Sequence, residues 1–296
     1  MALSPLLPEH RPLLERYLAP LASPLSAYSF AAHALWRDHF NFYWTIDQDH
    51  FLLFAEYDRF LYMPLPPLGA PDPKIVADCF DEMDRRNLSE GVSRIENIAE
   101  GDLSFYQKWG LKVEPKAPEY LYPREALADL KGDRYKSQRW SCNRFEKRYR
   151  PIDRPYHPSD RDKARGLFQK WAKLRAARSS DPFYRGLLED SAPLHARALA
   201  ESESLGLTGR VVEVSGEIVG YTFGFPLNRE TFCVVIEVAD PTLPGAASFL
   251  FRNFCRALGP YIWINTMDDS GLENLKKSKR AYHPCRELGC YLARRY

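Results

Sequence analysis

The sequence predicts a mixed α+β chain of two tandem domains, each a mixed, mostly antiparallel sheet flanked by helices. Three observations predict it. The 296 residues exceed what one ordinary core requires. Both halves run in the same order: helices, antiparallel meander, helix, strand, helix, strand. Between them lies a segment of different composition, rich in cations and aromatic rings.

In the first half, helical periodicity covers Pro8 to Leu18 and Tyr28 to Arg37. Alternating runs at Phe42 to Ile46, Phe51 to Tyr57 and Arg59 to Met63 read as a strand meander, which the proline cluster PLPPLGAPDP ends. An amphipathic helix follows from Lys74 to Arg86, with Ile75, Val76, Cys79 and Met83 on one face. A strand at Val92 to Ile95, a helix at Asp102 to Trp109 and a strand at Leu111 to Glu114 complete the half. The aromatic stretch from Ser26 to Trp44 reads as a helix packed on a sheet in preference to an aromatic binding platform.

The second half opens with a helix from Asp160 to Ala176 and a helical stretch around Leu187 to Glu201. Arg210 to Pro241 then holds three apolar strands, separated by Ser215-Gly216-Glu217 and Asn228-Arg229-Glu230, whose residue types suit tight turns. A helix over ASFLFRNFCRAL, a strand at Tyr261 to Ile264, the stretch NTMDDSGLENLKKSKRAYHP and a final strand near Gly289 to Ala293 close the chain.

This grammar is that of the GNAT (acyl-CoA N-acyltransferase) fold, in which two diverging central strands hold the acyl donor. FYQKWGL at Phe105 to Leu111 is similar to the F-Y-x-x-x-G-F ending of that superfamily, and aligning the halves sets Asn97 beside Asn265. The expected organisation is an N-terminal GNAT-like domain over residues 1–126, a basic bridging segment over 127–150 and a C-terminal GNAT-like domain over 151–296.

Composition narrows the function classes. Forty-one Lys plus Arg against 39 Asp plus Glu argues against a chain that coats nucleic acid over its whole surface. Six scattered cysteines without a C-x-x-C pair and a start without a secretion signal point to a reducing cytoplasm. No apolar run is long enough to span a membrane. From Lys131 to Arg150, eight cations face two carboxylates, a local net charge of +6, with Tyr135, Trp140, Phe145 and Tyr149 interleaved. Such a segment is either a solvated basic helix or a place where bases and phosphates bind.

Four ordered segments resemble the bacterial family related to the C-terminal domain of phosphatidylglycerol lysyltransferase. They are Tyr28-Ser29-Phe30 and Leu35-Trp36 with LPPLG at Leu65 to Gly69; Glu119 to Tyr122 with Leu127, Ala128, Leu130 and Gly132; Glu237 with Gly245 and Ala246; and Asn265 to Pro284. The resemblance implies tandem GNAT-like domains and kinship with enzymes that move an aminoacyl group from aminoacyl-tRNA to an amine or hydroxyl. Asn265, Asp269, Gly271, Lys279, Tyr282 and Pro284 keep the pattern, whereas Met267 stands where Glu is usual, Ser270 follows the Asp and Trp140 replaces an Asn.

Transfer needs a nucleophile to lose a proton and an oxyanion to be stabilised. Glu237, near the end of its strand among apolar neighbours, is expected as base or as grip on an ammonium, against a solvated edge-strand Glu. Asp268, Asp269 or Ser270 suffices to cap the following helix, and the acid left over, Asp269, is the second catalytic candidate. Tyr282 is expected as general acid or as a core Tyr. Asn265, Gly245 and the cations Lys276, Lys279 and Arg280, spaced for one helix face, are expected to bind substrate. Arg134, Lys136, Arg139, Trp140, Asn143 and Arg144 are expected to hold tRNA phosphates.

The turn Asp240-Pro241-Thr242-Leu243-Pro244-Gly245 has one glycine, and its two prolines cannot donate amides, which disfavours acetyl-CoA as donor and favours an aminoacyl-tRNA. No metal site is expected, because no His or Cys set has ligand spacing. The expected function is a soluble aminoacyl- or acyltransferase with an unspecified small-molecule or lipid acceptor. The alternatives are a non-catalytic binding or regulatory protein and a coenzyme A dependent N-acyltransferase.

Overall fold

Left-handed turns fold the first sheet. In the computed structural model, which describes residues 1–89, 91–178 and 181–295, Gln48 and Asp49 (φ 43° and 65°) turn the strand Asn41–Asp47 into His50–Tyr57. Asp58 and Arg59 (φ 48° and 69°) then turn that strand into Phe60–Tyr62. Positive φ at both central residues gives the hairpin whose twist matches its strands. With Ser4–Pro5 on the edge, these form a four-stranded antiparallel sheet.

The chain divides into two units: Met1–Glu119 with Asp268–Leu272 and the segment from Glu287 onward, and Tyr120–Met267 with Glu273–Arg286. In the first, Asp72 caps the helix Pro73–Arg86 by accepting the Lys74 amide at 2.8 Å. That helix buries Ile75, Val76, Cys79, Phe80 and Met83 against Leu52, Phe54 and Met63 of the meander. A three-stranded sheet follows, with the chain's Cys290–Arg294 strand antiparallel between Ile95–Ala99 and Lys112–Pro115.

Two expectations shift here. The strand expected from Val92 starts at Ile95, because Met63 takes the Glu96 amide and gives its own to Arg94, fixing a parallel bridge at Ile95. The aromatic stretch is helical only over Phe30–Leu35, where Ser29 accepts the Ala31 amide, and Asn41 onward is strand.

In the second unit the strands run in the spatial order Glu119–Pro123, Trp263–Asn265, Thr231–Ala239, Glu217–Pro226, Thr208–Val214, Ile152–Pro155. Trp263–Asn265 is parallel to Thr231–Ala239, and the helix Ala246–Ala257 crosses between them; the other pairs are antiparallel. Phe232, Val234 and Ile264 of the sheet pack beneath that helix against its Phe254, with Tyr120 and Tyr122 alongside. The basic segment forms the helix Lys136–Tyr149, anchored by buried Cys142 and Phe145. No helix among the described residues is long and apolar enough to cross a membrane.

Candidate active site

The parallel pairing that organises the second unit stops early. Thr231, Phe232 and Cys233 pair with Trp263, Ile264 and Asn265, while the first strand continues to Ala239. The two parallel strands part there, leaving a length of backbone without that neighbour.

A β-bulge sets which side chains face the gap. Val234 pairs with Gly224 and Ile236 with Phe223, so Val235 is the extra residue. Its insertion resets the alternation and puts Glu237 on the face that carries Phe232 and Val234, beneath helix Ala246–Ala257. Without it Ile236 would hold that face and Glu237 the opposite one. Gly224 permits the bulge, since a Cβ there would lie 2.2 Å from the Cys233 carbonyl oxygen. A glycine within an apolar strand is the sequence signal that marks such a place.

Glu237 is exposed to water and also surrounded by protein, which pushes its carboxyl up to about 8 despite the opposing charge of Lys279. Tyr282 lies within electrostatic reach of that carboxyl, and its phenol is held well above the usual tyrosine range by burial, eased by a hydrogen bond from Ser248 and raised further by Glu237. Burial, with Glu237 adding to it, likewise keeps the Cys255 thiol protonated. Sequence reasoning missed Ser248, in the first turn of helix Ala246–Ala257; nothing in its type or spacing distinguishes it from a helix-start serine.

Lys279 turns inward. Its ammonium donates to the carbonyls of Thr266 and, at 3.2 Å, Met267, and lies 5.6 Å over the Tyr120 ring. Lys276 is half-buried and Arg280 exposed, so the expected row of three cations is not presented as one set. The carbonyls of Thr266 and Met267 draw Lys279 out of it. Asn265, fully buried, holds this loop by accepting the Met267 amide at 2.6 Å. Met267 itself has φ 62°, and its backbone carbonyl also takes the Tyr120 amide at 3.2 Å.

Asp269 is buried in the first unit, where its carboxylate accepts the Gly271 amide at 3.0 Å. Asp268 accepts the Ser270 amide at 2.8 Å in the same way. Both close turns onto the amide two residues ahead; the expected cap is instead a pair of Asx turns, because the helix begins only at Glu273.

The basic helix is fastened to the Tyr282 segment. Tyr135 donates its hydroxyl to the Tyr282 carbonyl at 3.1 Å, and Gln138 donates to the Ala281 carbonyl at 2.6 Å. Arg139 is turned back onto the carbonyls of Leu130 and Gly132, and Asn143 accepts from buried Arg252 at 3.2 Å. Arg134, Lys136, Trp140 and Arg144 stay exposed. Gly245, φ 96°, begins helix Ala246–Ala257 directly under Ser141 of the basic helix.

In the turn before Gly245 and at the helix start, three amides are engaged by neighbours. Asp240 accepts Thr242 on its carboxylate at 2.9 Å and Leu243 on its carbonyl at 3.1 Å, and Leu243 accepts Ala246 at 3.1 Å. The Asp240 carboxylate is itself ion-paired to Lys170 at 2.5 Å.

Comparison with known proteins agrees with this frame. Residues 18–294 match the family described as phosphatidylglycerol lysyltransferase, C-terminal. No curated protein matches. Among solved structures, a conserved protein of unknown function from Bacteroides thetaiotaomicron is similar over 100% of both chains, at 23% identity and TM-score 0.90. A C-terminal domain assigned to a lysylphosphatidylglycerol synthetase from Agrobacterium fabrum is similar over 96% of this chain and 91% of its own, at 16% identity and TM-score 0.67. A tandem GNAT protein from the clavulanic acid biosynthesis pathway is similar over 99% of this chain and 98% of its own, at 11% identity and TM-score 0.54. At these identities the likeness is one of fold, and the fold is GNAT-like.

Proposed function

The chain belongs to the phosphatidylglycerol lysyltransferase C-terminal family, and we propose that it is an aminoacyl transferase, moving an aminoacyl group from aminoacyl-tRNA to an amine or hydroxyl acceptor. The observation that carries this reading is Glu237: a water-reached, protein-enclosed carboxyl with its pKa raised to about 8, on the parted strand and beside Tyr282 and Lys279. A base poised near the operating pH is matched to taking a proton from an acceptor nucleophile.

In the proposed step the acceptor nitrogen or oxygen attacks the ester carbonyl and loses its proton to Glu237. The new acyl bond forms as the bond to the ribose oxygen breaks, and that oxygen takes a proton from Tyr282. Lys279, held by two backbone carbonyls, supplies a fixed positive charge near Glu237. Asn265, Lys276, Arg280 and Gly245 line or brace the acceptor side in this reading, and the exposed cations of the basic helix hold donor phosphates.

The amide-poor turn supports this donor over coenzyme A. A pyrophosphate needs free backbone N–H groups at the helix start, and here Thr242, Leu243 and Ala246 have given theirs to neighbours while the Asp240 carboxylate sits among them. The test is release of labelled amino acid from charged tRNA in the presence of lipid and peptide acceptor extracts. Wild type should release label faster than Glu237→Gln. Equal rates, with acetyl-CoA raising the melting temperature, would replace this reading with a coenzyme A dependent acyltransferase.

A further inference from the structure

The face of the basic helix that points to solvent is not uniformly cationic. Lys136, Trp140, Asn143, Arg144 and Lys147 recur at spacings of three and four, and all five are exposed. Trp140, between the cations, leaves 60% of its surface in water, and the Arg144 guanidinium stands 5.0 Å from its ring. The opposite face is pinned by Cys142 and Phe145 and by the bonds of Tyr135 and Gln138 to the Tyr282 segment. Trp140 lies five residues along the helix from Tyr135, about 7.5 Å at 1.5 Å per residue.

We propose that Trp140 is a stacking platform for an unpaired base next to the reacting end of an RNA donor. The inference rests on the aminoacyl-tRNA reading above and adds what part of the RNA is recognised. Cations alone meet phosphates and treat duplex and single strand alike; an indole in the open offers a face that only an unstacked base can cover. Arg144 holds one side of the ring and supplies a charge for the flanking phosphate. The helix is fixed to the segment that carries Tyr282, so a base held on Trp140 is tied to the element that also positions that phenol.

The experiment compares binding of two RNA hairpins of equal charge, one with an unpaired 3′ overhang and one blunt, to wild type, Trp140→Ala, Trp140→Phe and Arg144→Ala. Trp140→Ala should weaken the overhang RNA about ten-fold or more and leave the blunt RNA nearly unchanged. Trp140→Phe should recover most of that loss, and Arg144→Ala should weaken both. All variants change exposed side chains, and matching melting temperatures with wild type verify folding. Equal loss for both RNAs, or no loss for either, would overturn the platform while leaving the donor reading in place. Wild-type binding to neither RNA, or Trp140-dependent binding to anionic vesicles instead, would overturn both.

Discussion

A Cβ built on Gly245 would lie 2.6 Å from the carbonyl oxygen of Ser141. The residue that caps the start of helix Ala246–Ala257 and the middle of the basic helix therefore meet backbone to backbone, and only glycine fits there. At φ 96° an alanine would also be strained. Gly245→Ala should cost about 2 kcal/mol or more in denaturant unfolding and should weaken RNA binding by displacing the basic helix. Unchanged stability would show that the two helices separate freely.

If Glu237 is the base proposed above, both rate and stability depend on pH through it. Its carboxyl is raised from 4.5 to about 8, so between those values the folded protein holds a proton that the unfolded chain has released. Its stabilising contribution is complete below the lower value and is lost as pH climbs through the upper one. The melting temperature of Glu237→Gln should therefore gain on that of wild type from about pH 5 to about pH 9. Transfer by wild type, which needs the ionised base, should rise over the upper part of the same range. A difference in melting temperature that does not change with pH would mean that the carboxyl is hydrated as in the unfolded chain.

In the proposed mechanism Ser248 acts through Tyr282. By donating to the phenol it offsets part of the upward push from burial, so Ser248→Ala should leave a weaker acid in place. The expected result is a kcat lower by roughly three- to ten-fold with KM nearly unchanged. Ser248→Thr should retain most activity, and Tyr282→Phe should lose more than Ser248→Ala. A change in KM alone would assign Ser248 to substrate binding.

Much of the fold is legible in the sequence, because local patterns decide it. The helix at Lys74 to Arg86 and the helix at Asp160 to Ala176 bury one face as their residues predict, and the meander strands fall on the apolar runs, although His50–Tyr57 and Glu217–Pro226 are buried on both faces and do not alternate. What is not legible is set by partners distant along the chain. Nothing in CYLAR tells that it pairs between Ile95–Ala99 and Lys112–Pro115. Strict alternation along TFCVVIEVA sends Glu237 to the face opposite Phe232; one inserted residue reverses that. Lys279 reads as one cation of a helical row, and only the fold brings the carbonyls of Thr266 and Met267 within its reach. The candidate site was thus readable as residue types, but its geometry depends on a bulge and on backbone acceptors that carry no sequence signature.

His195 provides a last test, in acid. It is buried in the second unit, with Nδ1 2.9 Å from the Tyr221 hydroxyl and its ring stacked on Phe168 at 4.4 Å. Burial depresses it from 6.5 to about 3. The unfolded chain takes up a proton there that the folded state refuses, so this contribution is present above the unfolded value and lost as pH falls toward the folded one. His33, lowered to about 4 by burial, acts in the same direction in the first unit. His195→Gln keeps a partner for Tyr221 without a titrating ring. Its absolute stability is expected to fall, but the decline between about pH 6.5 and about pH 4 should be shallower than in wild type. Urea unfolding at several pH values gives the slope directly, and parallel curves for the two proteins would show that His195 is protonated in the native state.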